Sequence, residues 1–531
     1  MRRRRQRETV LVGLVGLIAS IVYLAWPGSS TFTVSKETTY ATEPLDSQGY
    51  VDYVTALNER LGKGIKPEDN ANVLICQTLG PRPEGATMSP EYFEWLGIVS
   101  PPEKGEYLVS WRDYLKAHVQ KDGKLEGAAN NETLSRAAEW PWTAKEQPEL
   151  ADWLKQNDKP LALIVQATRR PAYYNPLVPG GREEGPALMG ALLPTVQKCR
   201  ELASALVSRA MLRIAQGKDD EAWQDLLTCH RLGRLLSRGG TLIEMLVGIA
   251  IERVAHKGDL VFLDHAKLTS KQVSACWEDL HRLPAIATIA EKVDLGDRFM
   301  LLDTMMFTAR HGTTALEGLA GGRARPSRAD RFTGRMFTRS INWDPALVNA
   351  NRLTDRVVAA LRIPDRSARM QEMAAIDQDL QALKRQVDAA GVIEKSFMGS
   401  RSRGEMIGNI MILLVLPSFT KVQIAADRCE QDQRNLHLAF ALAAYKCDQG
   451  LYPAKLDELA PKYLQAIPGD LFSGKPPIYR LNDKGYLLYS VGENGVDDGG
   501  RGNDDFPRGD DLSIRMPVAR PSENNEGPVQ K

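Results

Sequence analysis

The first 26 residues constrain this chain most. Met1 is followed by Arg2, Arg3, Arg4, Arg5 and Arg7, and then by Thr9–Trp26, a run of 18 residues without a charge. A hydrocarbon core takes about 20 helical residues at 1.5 Å rise each, so this run is just long enough to span. The positive-inside rule keeps the Arg cluster in the cytoplasm and puts Tyr23 and Trp26 at the far interface. A single-pass protein of the inner (cytoplasmic) membrane is expected, its bulk exported to a periplasmic or extracytoplasmic space. A cleaved signal peptide would show the same charged and apolar regions. It would also need small residues at the cleavage site, where Tyr23, Leu24 and Trp26 stand. The segment therefore reads as an uncleaved signal anchor.

Export changes how the cysteines read. Cys76, Cys199, Cys229, Cys276, Cys429 and Cys447 are scattered over 531 residues, with no CxxC pair. That is too sparse for a disulfide scaffold and has no zinc-ligand spacing. Buried free thiols are expected. Lys and Arg total 68 against 67 Asp and Glu, which argues against a nucleic-acid binder. The balance hides segregation. Residues 1–7 hold five Arg and no acid, 321–340 six Arg and one Asp, and 493–511 seven acids and two Arg.

The fold class expected is mainly α, in a chain divided in sequence order. Residues 1–27 form the Arg cluster and transmembrane anchor, and 28–48, rich in Ser, Thr and Pro, a linker. Residues 49–400 form a large helical domain with a basic loop at 312–340. Residues 401–519 form an α+β domain, and 520–531 a disordered tail. Apolar residues recur at helical spacing from Tyr50 onward, with short helices near 90–97, 107–119 and 148–156. Leu161–Gln166 is apolar and of ambiguous type. Leu192–Ala215 reads as one long helix stopped by Gly217, and Asp219–Ser237 as a second stopped by Gly239-Gly240. Thr241 caps a third that runs to about Ala255. Further helices are expected at 269–282, 284–310, 344–361 and 367–390. In RAMLRIAQGKDDEAWQDLLTCHRLGRLL, Ala210, Gly217, Glu221, Ala222 and Trp223 resemble a tetratricopeptide-type helix pair. Only one such unit matches, so the expectation is a helical-hairpin array. The basic loop is read as solvated surface, with an anionic lipid or polymer as the alternative.

Near the C-terminus, Met406–Phe419 is apolar but too short for a comfortable membrane span. A regular stripe follows: Val422, Ala426, Cys429, Gln433, Leu436, Phe440, Ala443 and Cys447. Spacings of four and three keep one helical face inward, with both cysteines on it. Short strands are expected at 478–481, 486–491 and 512–516. The segments AADRCEQDQRNLHLAFALAAYKCDQGLYP, GDLFSGKPPIYRL and GYLLYSVGENGVDDGG resemble the globular domain of the major pseudopilin of type II secretion systems. Tyr445, Tyr452-Pro453, Asp470–Gly474 and Tyr489–Gly492 carry the likeness, and Pro417 is similar to the proline of the pilin-type apolar helix. The likeness covers about 110 residues. Unlike in pilins, the apolar helix is internal and no processing site precedes it, so a fibre-forming subunit is not expected.

The resemblance implies calcium in the acidic loop. The candidate metal residues are Asn494, Asp497, Asp498, Asp504, Asp505 and Asp511, of which Asp511 best matches the family's late Asp ligand. Clustered carboxylates between glycines suit a hard cation that takes six to eight oxygens. A solvated acidic loop is the plain alternative. Gly469–Lys475 has P-loop spacing, but Pro476 replaces the Mg²⁺-binding hydroxyl, so a nucleotide site is rejected. Arg508-Gly509-Asp510 is assigned to the acidic loop. The seven histidines form no HExxH and no pair at ligand spacing, and no GxSxG is present. No catalytic or cofactor-binding residue is assigned. The expected function is scaffolding or interaction at the cell envelope, alongside a secretion or pilus-like system, with protein partners contacted through the 406–447 helix. An envelope hydrolase with a hidden site and a helical-repeat peptide binder are the alternatives.

Overall fold

The structure, a computed structural model, describes residues 32–85, 87–118, 129–179, 186–191, 193–312, 341–389, 399–415 and 419–520. In chain order the helices are α1 (Tyr53–Gly62), α2 (Ala71–Leu79), α3 (Pro90–Leu96), α4 (Trp111–His118), α5 (Ala129–Ala137), α6 (Pro148–Gln156), α7 (Asp158–Ala167), α8 (Pro194–Ala215) and α9 (Asp219–Ser237). They continue with α10 (Leu242–His265), α11 (Ser270–His281), α12 (Ile289–Lys292), α13 (Arg298–His311), α14 (Asp344–Leu361), α15 (Arg366–Ala389), α16 (Ser400–Val415) and α17 (Phe419–Gln449). Strands β1 (Ile478–Leu481), β2 (Tyr486–Ser490) and β3 (Leu512–Met516) form one antiparallel sheet in that order. The described residues are thus mainly helical with one small sheet. None of their helices is long and apolar enough to cross a membrane. Thr9–Trp26, residues 313–340 of the basic loop and the tail from 521 lie outside the described residues.

The chain forms two compact units, and each draws on residues from both sides of position 400. The first comprises described residues within 1–61, 177–192 and 290–419; the second, those within 62–176, 193–289 and 420–531.

In the first unit, residues 33–41 are tied down by their own side chains. The Thr39 hydroxyl donates to the Ser35 carbonyl (3.0 Å), and the Thr39 carbonyl accepts from the Tyr53 hydroxyl (2.8 Å). Ser and Thr offer the backbone such local partners, which is how a Ser/Thr-rich stretch becomes ordered. Arg298, 2% exposed, donates to Asp294 (2.8 Å) and Asp355 (2.6 Å) and stacks over Tyr40. A Cβ on Gly408 would stand 2.5 Å from the Ala346 Cβ, so α16 and α14 touch backbone to backbone. Ile407, Met411 and Ile412 are buried on α16.

The second unit holds the largest core. Gly217, at φ +71°, turns the chain between α8 and α9, and its N–H donates to Ile214. Asp219, Asp220 and Glu221 open α9, where carboxylates favour the positive end of the helix dipole. A capping box joins Thr241 and Glu244 at the start of α10. Helices α9 and α10 meet at Gly233 and Gly248. An added Cβ on Gly248 would lie 2.6 Å from the Gly233 carbonyl oxygen. Asp225, buried, accepts from Arg209 (2.7 Å) and Arg213 (2.6 Å), which ties α8 to α9.

Helix α17 is buried on two faces. Leu436, Phe440 and Ala444 join the core of α8, α9 and α10. Leu438, Ala439 and Leu442 pack on Tyr486, Leu488, Ile514 and Met516 of the sheet. In register, Tyr486 faces Leu481 on one side and Met516 on the other.

Several expectations change. Helix α10 runs ten residues past Ala255, because Val261 and Phe262 continue its buried face. Leu161–Gln166 lies within helix α7. The 284–310 stretch divides into α12, a π-helical turn Val293–Asp297, and α13. The 406–447 stretch is two helices, α16 and α17. Cys447 is exposed, because the last turn of α17 leaves the core; the other five cysteines are buried and free, as expected.

Candidate functional site

The acidic loop leaves β2 at Gly492, which has φ +70°. It folds back over the sheet, so that a Cβ on Gly500 would meet Leu487 at 3.0 Å and Tyr489 at 3.3 Å. Loop geometry then sorts the carboxylates. Asp498, Asp510 and Asp511 each offer an oxygen within 4.8 Å of the others. Asp511 is 2% exposed; its Oδ2 accepts from the Gly500 N–H (2.7 Å), and its Oδ1 is sealed without a hydrogen-bond partner. Asp510 Oδ2 accepts from the Asn494 N–H (2.9 Å), and its Oδ1 is also sealed and unpartnered. Asp498 Oδ2 accepts from the Asp510 N–H (3.1 Å), with Arg501 at 3.8 Å from its other oxygen. Burial pushes the Asp511 carboxyl up, and the neighbouring charges of Asp498 and Asp497 add to this.

The remaining predicted residues are engaged elsewhere. Asp497 accepts from the Gly499 N–H and the Tyr489 hydroxyl, which hold its carboxyl below the usual range. Asp505 accepts from the Gly502 N–H and Arg515, which lower it likewise. Asn494 Oδ1 accepts from the Val496 N–H (2.6 Å), and Asp504 is exposed. Of the six predicted positions the fold brings together Asp498 and Asp511, and it adds Asp510.

A second constellation sits inside the α9–α10 pair. His230 lies between two carboxylates, its Nδ1 3.1 Å from Glu252 Oε2 and its Nε2 2.7 Å from Asp259 Oδ2. Arg234, one turn along α9, donates to Glu252 Oε1 (2.8 Å) and, from its other arm, to Oε2 (3.3 Å). His256, one turn along α10, places Nε2 3.6 Å from Glu252 Oε2. Glu252 and Asp259 are fully buried, and His230 nearly so. Neither ring nitrogen of His256 has a hydrogen-bond partner, nor does Asp259 Oδ1.

Charge explains the titration of this group. Burial alone would lower His230, but Asp259 and Glu252 raise it to about 9. Burial would raise Glu252, but His230 and Arg234 hold it at about 2. Asp259 has no arginine, and burial pushes it up although His230 opposes. His256 is pushed down to about 3 by burial and by the charge on His230. The cluster thus contains both a proton-holding and a proton-free imidazole within one buried space. His230 and His256 are 26 positions apart and come together only through the helix pairing. The legible signal was Glu252, His256 and Asp259 at spacings of four and three, in line with apolar positions of the same helix.

A cavity of about 270 Å³ touches both regions, the first at Asp511 and the second at His256. It is lined by His256, Asp432, Arg253, Arg428, Asp504 and Asp511, among others. Comparison of the chain with protein-family models, with curated proteins and with solved structures found no match.

Proposed function

We propose that this chain is a membrane-anchored protein of the cell envelope whose C-terminal helix and sheet form a pseudopilin-like module. Its work is scaffolding or interaction beside a type II secretion or pilus-like assembly, and its 493–511 loop takes Ca²⁺. One observation carries the calcium reading. Asp498, Asp510 and Asp511 converge, and the last two each keep a sealed oxygen that accepts no hydrogen. Leaving buried carboxylate oxygens unpaired is costly, and a hard divalent cation would satisfy both. For partner contact, the apolar face of α16 is already spent inside its own unit. Phe506, 100% exposed, and Val496, 57% exposed, instead project from the acidic loop. A loop ordered by calcium would present them to a partner.

Calorimetry of the EDTA-treated full chain in detergent tests this reading. Ca²⁺ is expected to bind with measurable heat and raise the melting temperature, and Asp511→Asn to abolish both. No heat and no EDTA effect would reject calcium. Pull-down from solubilised membranes should recover an envelope partner whose capture weakens in Phe506→Ser; recovery of none counts against the scaffold role. A mature N-terminus near Ser29 would overturn the anchor.

One feature favours the hydrolase alternative. The second unit has a cleft of about 1130 Å³ lined by Trp111, Lys116, Glu139, Glu201, Arg253 and Lys257, among others. Glu201 there already accepts from the Trp111 N–H and from Lys198. Hydrolysis of a glycan or peptide probe that is lost in Glu201→Gln would favour that alternative.

A further inference from the structure

The geometry points to a second, buried metal site in the α9–α10 pair, taking a first-row divalent transition ion such as Zn²⁺. Its ligands are His230 Nδ1, Glu252 Oε2 and His256 Nε2. This site is independent of the acidic loop and of the calcium reading.

Three features carry it. The first is donor chemistry: two imidazoles and one carboxylate suit Zn²⁺ and its neighbours, whereas Ca²⁺ takes oxygen ligands alone. The three ligand atoms lie within 4.8 Å of one another. Donors around a tetrahedral Zn²⁺ at roughly 2.0–2.1 Å are about 3.3 Å apart. The observed 3.1 Å (His230 to Glu252) and 3.6 Å (His256 to Glu252) bracket that spacing.

The second feature is the outer shell. A metal-bound histidine commonly gives its other N–H to a carboxylate, which fixes the ring and the tautomer. His230 Nε2 already faces Asp259 Oδ2 at 2.7 Å, so Nδ1, now 3.1 Å from Glu252 Oε2, is the atom that would take the metal in exchange for its proton. Arg234 orients the Glu252 carboxylate, mainly through Oε1, leaving a lone pair of Oε2 directed at the histidines.

The third is His256 itself. It is 8% exposed, and neither of its nitrogens has a hydrogen-bond partner. A buried imidazole with both nitrogens unpaired loses solvation and gains nothing, unless it binds something. His256 also lines the 270 Å³ cavity. Neither His230 nor Glu252 lines it, so an ion would reach the cluster from the His256 side.

The test uses the full chain in detergent, stripped with EDTA and then saturated with Ca²⁺ to cover the acidic loop. Co²⁺ alone is the probe. One equivalent is expected to produce the visible d–d bands of a low-symmetry nitrogen and oxygen site, and Zn²⁺ to bleach them. His256→Ala should remove the bands, and Asp259→Asn should weaken Co²⁺ binding by about tenfold. Asp511→Asn should leave the bands unchanged, which separates this site from the calcium loop. His256 makes no hydrogen bond, so His256→Ala should fold, and an unchanged metal-free melting curve checks that. If wild-type protein gives no bands, or if His256→Ala retains them, the site does not exist.

Discussion

Alanine at position 248 pits helix propensity against helix packing. Gly248 lies in the interior of α10, where alanine is intrinsically better by about 1 kcal/mol. On propensity alone Gly248→Ala would stabilise. The structure opposes this. The new Cβ would stand 2.6 Å from the Gly233 carbonyl oxygen, 3.0 Å from the Ser237 nitrogen and 3.2 Å from the Ser237 Cβ. The first two contacts are backbone atoms of the facing helix, so no rotamer change relieves them. The helices must separate, and that loosens Cys229, Leu232 and Val247 together with the Glu252–His230 contact. Overpacking that shifts side chains and backbone costs roughly 1–3 kcal/mol, and a clash with backbone atoms belongs at the upper end of that range. A net loss of about 1–2 kcal/mol is expected after the propensity gain is subtracted. Hydrogen exchange of α9 and α10 amides, followed by mass spectrometry, reads the second unit without assuming that the whole chain unfolds in one step. Protection should fall by roughly five- to thirtyfold, since 1.4 kcal/mol is a factor of ten. Gly399→Ala, with nothing within 4 Å of its added Cβ, should change little. Equal or higher protection in Gly248→Ala would refute the close crossing.

Asp470 accepts from the Phe472 N–H, the Ser473 and Ser490 hydroxyls and the Val491 N–H, and is 3% exposed. Asp470→Ala strands these donors and should cost about 2–4 kcal/mol, read as lost exchange protection in β2; an unaffected β2 would contradict the assignment. Asp225→Ala leaves buried Arg209 and half-buried Arg213 without their shared carboxylate, and should destabilise α8 and α9 by about 2–4 kcal/mol in the same assay. Asp297 carries a pH effect. The residue as a whole is half-buried, but its Oδ2 is sealed and unpartnered, and desolvation acts at the charge; burial pushes the carboxyl up to about 7, against its own backbone hydrogen bond. The folded group therefore holds a proton that the unfolded group releases near 4, and the first unit should lose stability as pH rises from about 4 to about 7. Asp297→Asn should be more stable than wild type at pH 8 by about 1–2 kcal/mol, with the difference vanishing near pH 4; a gap independent of pH would reject it.

Local chemistry made much of the helical architecture readable. Asp219–Ser237 and Asp344–Leu361 begin and end beside the glycines and prolines that bound them. Thr241 announced a helix start by sequence alone, and in the structure Glu244 completes its capping box. The three strands are short runs rich in aromatic and branched residues, and they lie within one residue of the expected 478–481, 486–491 and 512–516. Where two patterns coincide, sequence was mute: Leu161–Gln166 is apolar on consecutive positions, and only burial of Leu161 and Ile164 on one face makes it helical. The acidic loop was legible as a carboxylate concentration. Which carboxylates converge was not, because glycine turns at 492, 495, 499 and 500 decide the directions, and Asp510 rather than Asp497 or Asp505 joins Asp498 and Asp511.

What the sequence determined by itself is therefore local: the charged and apolar N-terminal segment, the helix periods and caps, and the acid-rich loop. Each depends on residues within a few positions of one another. The tertiary structure decided what is non-local. Residues from both sides of position 400 are drawn into each of two units, and α17 shares its faces between a helical core and a sheet. Helices α9 and α10 approach closely because Gly233 and Gly248 face each other, and that contact sets His230 against Glu252 and Asp259 in the dry interior. No spacing rule encodes such a meeting, since it depends on how two separate periodic faces register when packed.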